Sequence, residues 1–133
     1  MDGLSVVCIF LGGGLGSLLR WALGLALNPL FPQVPPGTLA ANVIGGLLMG
    51  GALGVFAQFE SLPPAARLAV TTGFLGGLTT FSTYSAESAT LLLRGDYRWA
   101  AVHTVAHVVA SLAATLAGLG ATQALFKALG GGQ

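Results

Sequence analysis

The sequence predicts an all-α membrane protein with four transmembrane helices, and three observations carry that prediction. Apolar residues make up 54% of the chain and charged residues only 7%, where soluble domains carry roughly a quarter charged residues. The 5 Lys+Arg and 4 Asp+Glu cannot coat a water-facing surface, and a mean hydropathy of +0.84 makes the outside apolar as well. Clusters of Pro, Gly and charge then divide the chain into four apolar stretches, at about 4–27, 38–59, 66–93 and 99–126. Each is at or above the ~20 residues that cross a ~30 Å hydrocarbon core as helix. The expected organisation is one four-helix transmembrane domain over 1–133.

The first stretch has no Lys or Arg ahead of it and only Asp2 as an early charge, so it reads as a retained helix rather than a secretion signal. Its Gly12, Gly13, Gly14 and Gly16 suit close helix contact; no strand precedes them and no acid follows at the spacing of a dinucleotide loop. The second stretch carries Asn42 within the span and repeats Gly46, Gly50 and Gly54 on one face. Small faces of this kind let helix backbones approach in lipid, where packing drives association.

The third stretch is the irregular one. Gly76-Gly77 costs about 2 kcal/mol of helix propensity relative to alanines, and the hydroxyls of Thr79, Thr80, Ser82, Thr83 and Ser85 compete for backbone partners. A break between Gly76 and Thr80 is expected; a glycine kink with hydroxyls bonded back to the preceding turn is the alternative. Unwound backbone at membrane depth survives only inside protein or along a wet cavity, where its carbonyls face cations and its amides anions. Beyond the break Phe81, Tyr84, Ser85 and Ser88 share one helical face, and Thr80, Thr83 and Glu87 another.

In the fourth stretch Thr104, His107, Ser111, Thr115, Gly118 and Thr122 recur at spacings of three or four, a polar stripe on an apolar helix. Four spans put both termini on one side, with a tail after Phe126 too short to be a domain. Arg67 and Lys127 then fall on the side of the termini and Arg94 and Arg98 on the other, leaving Arg20 to break the tie. So even a division favours insertion both ways round and an antiparallel pair, unless Arg20 or the insertion machinery fixes one orientation.

Function classes narrow in the same way. A formal net charge of +1 gives no basic footprint for nucleic acid. Cys8 is alone, so it forms no internal disulfide and belongs to no zinc set. The acids and histidines are scattered over loops and separate helices, which argues against an enzyme. What remains is the intramembrane polar set, by default a site. Hydroxyls, the Asn42 amide and aromatic edges suit a small anion, whereas ring faces suit a cation, so residue chemistry leaves the sign open. A lining without a fixed positive charge binds weakly and favours conduction over storage.

Three segments in order identify a resemblance: Gly12-Gly13-Gly14-Leu15-Gly16-Ser17-Leu18-Leu19-Arg20-Trp21, Gly37-Thr38-Leu39-Ala40-Ala41-Asn42, and Gly73-Phe74-Leu75-Gly76-Gly77-Leu78-Thr79-Thr80-Phe81-Ser82-Thr83-Tyr84. They resemble the Fluc/CrcB family of fluoride channels, the last segment matching the family's GxxGGxTTFSTF signature, and the resemblance covers nearly the whole chain. It implies an antiparallel dual-topology homodimer in the inner (plasma) membrane, conducting fluoride passively out of the cytoplasm and so relieving its toxicity. It also implies two pores per dimer, each lined by both subunits, and a structural sodium ion at the dimer interface. By motif position Gly76 and Thr79 would offer the sodium carbonyls, and Phe81 and Tyr84 would be the pore aromatics. Asn42 would be the pore asparagine, and Ser82, Thr83, Ser111 and Thr115 the hydroxyl track. Arg20 matches an arginine expected to stabilise the assembly or its vestibule, although by charge alone it could equally reach lipid headgroups.

This chain departs from the family pattern with Tyr84 where Phe is commoner and His107 where Tyr is expected. The Tyr84 hydroxyl can itself donate to an anion, and His107 brings either pH dependence or a neutral bond across helices. Glu87 is expected to border a vestibule or reach water at the membrane edge. The competing reading, a small proton-coupled multidrug exporter, needs a carboxylate inside the first helix, where this chain has only Asp2 outside the span. A purely structural subunit would leave Asn42, Phe81, Tyr84 and Ser111 unexplained.

Overall fold

The computed structural model describes residues 2–130, and these are all-helical, without a strand. In order come α1 (Gly3–Leu27), a single 3-10 turn (Asn28–Leu30), α2 (Pro36–Gln58), α3 (Pro64–Leu68), a π-helical stretch (Ala69–Leu75), α4 (Gly76–Leu78), α5 (Phe81–Leu93) and α6 (Tyr97–Gly130).

The ends of these helices follow from local chemistry. Asp2 caps α1 by accepting from the Ser5 N–H at 2.6 Å, and that bond to the charged form holds its carboxyl below the usual carboxylate range. Helix α2 starts on Pro36, whose missing N–H is no loss there. The Asn28 side chain accepts from the next two amides, Gly37 at 2.8 Å and Thr38 at 3.0 Å. At the other end of α2, Arg67 donates to the Phe59 and Glu60 carbonyls at 3.0 and 2.9 Å. Gly95, with φ of 78°, makes the left-handed turn between α5 and α6.

Among the described residues three helical segments are long and apolar enough to cross a membrane: Gly3–Leu30, Pro36–Gln58 and Tyr97–Gly130. The third apolar stretch is not one of them, because it is divided. Its interruption is narrower than expected, falling on Thr79 (φ −82°, ψ 155°) and Thr80 (φ −150°, ψ 117°), while Gly76 and Gly77 remain helical. Gly77 serves close approach instead of unwinding. A Cβ on Gly77 would run into the Gly13 carbonyl and the Ser17 amide of α1, and one on Gly16 into the Phe74 carbonyl. The glycine run of α1 is therefore the groove in which the 64–78 segment lies.

A second seam joins α2 to α6. Gly46 faces the Ser111 carbonyl, Gly50 the Thr115 carbonyl and Leu119 amide, and Gly54 the Thr122 side chain, while Gly118 returns the contact against Leu47. Part of the polar stripe on α6 is thus a packing seam. Consistent with that, Thr115 donates to the Ser111 carbonyl at 2.9 Å and Thr122 to the Gly118 carbonyl at 2.8 Å. Ala41, Leu75 and Leu78 form the buried core, with Leu23, Met49 and Phe74 packed on it. Phe10, Leu15, Trp21 and Leu93 point outward, as a lipid-facing surface requires.

Candidate functional site

Extended backbone at Thr79 and Thr80 leaves polar groups that helix geometry no longer pairs, and Asn42 of α2 takes up two of them. Its Oδ1 accepts from the Thr80 N–H at 2.7 Å and its Nδ2 donates to the Thr80 carbonyl at 3.0 Å. Those two bonds fix which way the amide points. Nδ2 also lies 3.1 Å from His107 Nδ1, so Nδ1 is the acceptor and the ring proton sits on Nε2. That Nε2 is buried and has no hydrogen-bond partner among the described residues. The Thr80 hydroxyl caps α5, accepting from the Thr83 N–H at 3.0 Å, and donates to the Thr83 hydroxyl at 3.0 Å.

The break releases carbonyls. In a continuous helix the Thr80 and Thr83 amides would bond Gly76 and Thr79 C=O; here they go to Asn42 and to the Thr80 hydroxyl. The Gly77 carbonyl between them accepts from Arg20 Nε at 2.9 Å, so Arg20 points inward to the 64–78 segment. Gly76 is exposed and Thr79 half-buried.

Beside the break lies a cavity of about 400 Å³, whose lining includes Asn42, Thr79, Phe81, Tyr84, Ser111 and Thr115. Phe81 and Tyr84 form one wall, with ring centroids 5.3 Å apart. Phe81 is 79% exposed, so this wall faces the outside of the chain and a single copy does not enclose the cavity. The hydroxyls differ in what they offer. Thr115 has committed its hydrogen to the Ser111 carbonyl, whereas the Ser111 hydroxyl makes no hydrogen bond among the described residues and is free to donate. Ser82 and Thr83 do not line this cavity: Ser82 sits 3.3 Å from the Thr80 hydroxyl, and Thr83 lines a second cavity of about 390 Å³ with Glu87 and Arg94.

Sequence reading missed a buried network next to this site. Thr38 donates to Glu87 Oε1 at 2.6 Å, His103 Nε2 lies 3.0 Å from Glu87 Oε2, and Ser88 meets His103 Nδ1 at 2.9 Å. His103 is completely buried, its ring stacked on that of Tyr84 at 5.4 Å and tilted by 45° against that of His107 at 4.5 Å. The available signal was the spacing of His103 and His107, four residues apart and so on one face of α6.

Comparison with known proteins agrees with this architecture. Residues 7–119 match the family described as CrcB-like protein, Camphor Resistance (CrcB). A relative from Nitrosomonas europaea, named fluoride-specific ion channel FluC, is 56% identical over 122 residues, covering 92% of this chain and 95% of its own length. Relatives of the same name from Nitrosospira multiformis and Tolumonas auensis are each 54% identical, covering 86% and 92% of this chain and 90% and 96% of their own lengths. With residues 7–119 matched to the family and relatives more than 50% identical over most of the chain, this multi-pass membrane chain belongs to the CrcB family.

Proposed function

We propose that the chain is a fluoride-specific channel that lets cytoplasmic fluoride leave the cell without an energy source. The observation that carries this reading is the cavity at the break, lined by Asn42, Phe81, Tyr84 and Ser111 and by no Lys or Arg. Relatives more than 50% identical over most of the chain bear the name of a fluoride channel. A donor set without a fixed cation releases an anion quickly. Ser111 supplies a free hydroxyl, and the rings of Phe81 and Tyr84 supply positive edges. An inside-negative potential then drives fluoride outward with about 2.3 kcal/mol per charge per 100 mV.

The working unit in this reading is an antiparallel homodimer in the plasma membrane, with four spans per chain, the third made of the 64–78 segment and α5. Its support is the open wall of the cavity: Phe81, 79% exposed, needs a neighbour to keep lipid out of a polar path. Two inverted copies give two such paths. The residues also suit a sodium ion at the interface, since unwound carbonyls coordinate Na⁺ at broken helices and Gly76 and Thr79 have lost their helical donors. Two chains would contribute a pair of carbonyls each.

Expression in a bacterium stripped of its own fluoride exporters tests the reading. Growth in fluoride should be restored by this chain and not by Phe81→Ile. Failure of the correctly inserted wild-type chain to restore growth would remove it.

A further inference from the structure

We infer that Glu87, His103 and His107 form a binding site for a divalent transition-metal ion of the zinc class, separate from the sodium carbonyls and formed within one chain. One ligand atom from each residue lies within 4.8 Å of the other two. His103 and His107, four apart on α6, turn their rings to one face, and Glu87 of α5 meets them there. Two imidazoles and a carboxylate are a zinc donor set that leaves the fourth position for water.

Burial supplies the second observation. His103 is 0% and His107 4% exposed, and His107 Nε2 is a buried nitrogen without a partner among the described residues. Leaving such an atom unpaired in a membrane interior is costly unless something occupies the space beside it. Part of the geometry is near at hand: His103 Nε2 and Glu87 Oε2 are 3.0 Å apart, and two ligands bound at about 2.0–2.2 Å in a tetrahedron stand about 3.3–3.6 Å apart. That pair must open by a few tenths of an ångström and His107 must draw in. Outer partners are present too, with Ser88 on His103 Nδ1 at 2.9 Å and Thr38 on Glu87 Oε1 at 2.6 Å. Of the three ligands only Glu87 lines the second cavity, which it shares with Arg94, the one cationic side chain there.

One feature opposes binding and sets its character. With a cation on Nε2, the ring proton of His107 moves to Nδ1, where it faces the Asn42 amide nitrogen now 3.1 Å away. The Asn42 amide must then turn, loosening its hold on Thr80. The site is therefore reversible rather than permanently filled.

Cobalt is the probe, because its visible d–d absorption reports tetrahedral nitrogen and oxygen ligands independently of fluoride transport. Titrating the purified full-length protein in detergent with Co²⁺ should give a saturable band that Zn²⁺ displaces. Glu87→Gln, which still accepts from Thr38, and His107→Gln should each weaken Co²⁺ binding by about tenfold or more. If one variant fails to fold, the other decides. No band in folded wild-type protein, or equal binding by a folded variant, would overturn the site and leave the channel reading untouched.

Discussion

The carboxamide of Asn42 stands in for a missing turn of helix at Thr80, accepting from its N–H at 2.7 Å and donating to its C=O at 3.0 Å. One side chain thereby makes a break possible at a buried position, where an unpaired backbone group is costly. The same amide also fixes the tautomer of His107.

Asn42→Asp separates the two bonds. The carboxylate still accepts from the Thr80 N–H, but it cannot donate to the Thr80 carbonyl, and a buried group left unpaired costs about 1–3 kcal/mol. A negative charge is also added beside an anion path. Fluoride flux per assembled protein should fall well below a tenth of wild type, with unfolding in detergent shifted to lower temperature; unchanged flux would show that the clamp is dispensable.

Arg20→Leu removes the bond from Nε to the Gly77 carbonyl. Hydrogen bonds to charged groups contribute about 1.5–3 kcal/mol, and this one ties α1 to the residue between the two freed carbonyls. Thermal unfolding should register the loss, while the fluoride-to-chloride preference stays as it was because Arg20 does not line the cavity. A changed preference with intact stability would assign Arg20 to the pathway instead.

Two glycine substitutions read the α2–α6 seam in opposite directions. Gly50→Ala drives a methyl into the Thr115 carbonyl and Leu119 amide, so the helices must part and the assembled fraction on size exclusion should drop. Gly120→Ala meets nothing within 4 Å and gains up to about 1 kcal/mol of helix propensity. Equal tolerance of both would mean the seam does not hold the fold.

At the N-terminus the Asp2 carboxyl is held below its ordinary range by the Ser5 amide. A depressed value means that the cap stabilises the helix start above the ordinary pKa of about 3.9 and is lost as pH falls through the lowered value. Protection of the Ser5 amide, measured against its intrinsic exchange rate at each pH, should therefore be present near neutrality, fall in acid, and lose that pH dependence in Asp2→Ala. A cap insensitive to acid would contradict the assignment.

The parts of the fold legible in sequence were those set by composition and short spacing: an all-helical membrane chain with three long apolar helices, the small face of Gly46, Gly50 and Gly54, and an interruption in the third stretch. The break expected over Gly76–Thr80 is wider than the observed one at Thr79 and Thr80, because helix propensity alone does not register packing. Gly77 packs against α1 in helical form, and the side chain of Asn42, 38 residues from Thr80, stabilises the extended pair. Long-range bonds of that sort leave no local pattern. The same holds for Thr38 and Glu87, 49 residues apart. Asn42, Phe81, Tyr84, Ser111 and Thr115 do share one cavity, whereas Ser82 and Thr83 turn towards the cap of α5.

The central claim is that this protein conducts fluoride and not chloride. Its most direct test is anion efflux from liposomes containing the purified protein, with potassium and valinomycin balancing charge. The account predicts rapid fluoride release, no chloride release, and loss of the fluoride signal in Phe81→Ile. Absence of fluoride release from demonstrably folded protein, or release of chloride at a similar rate, would contradict it.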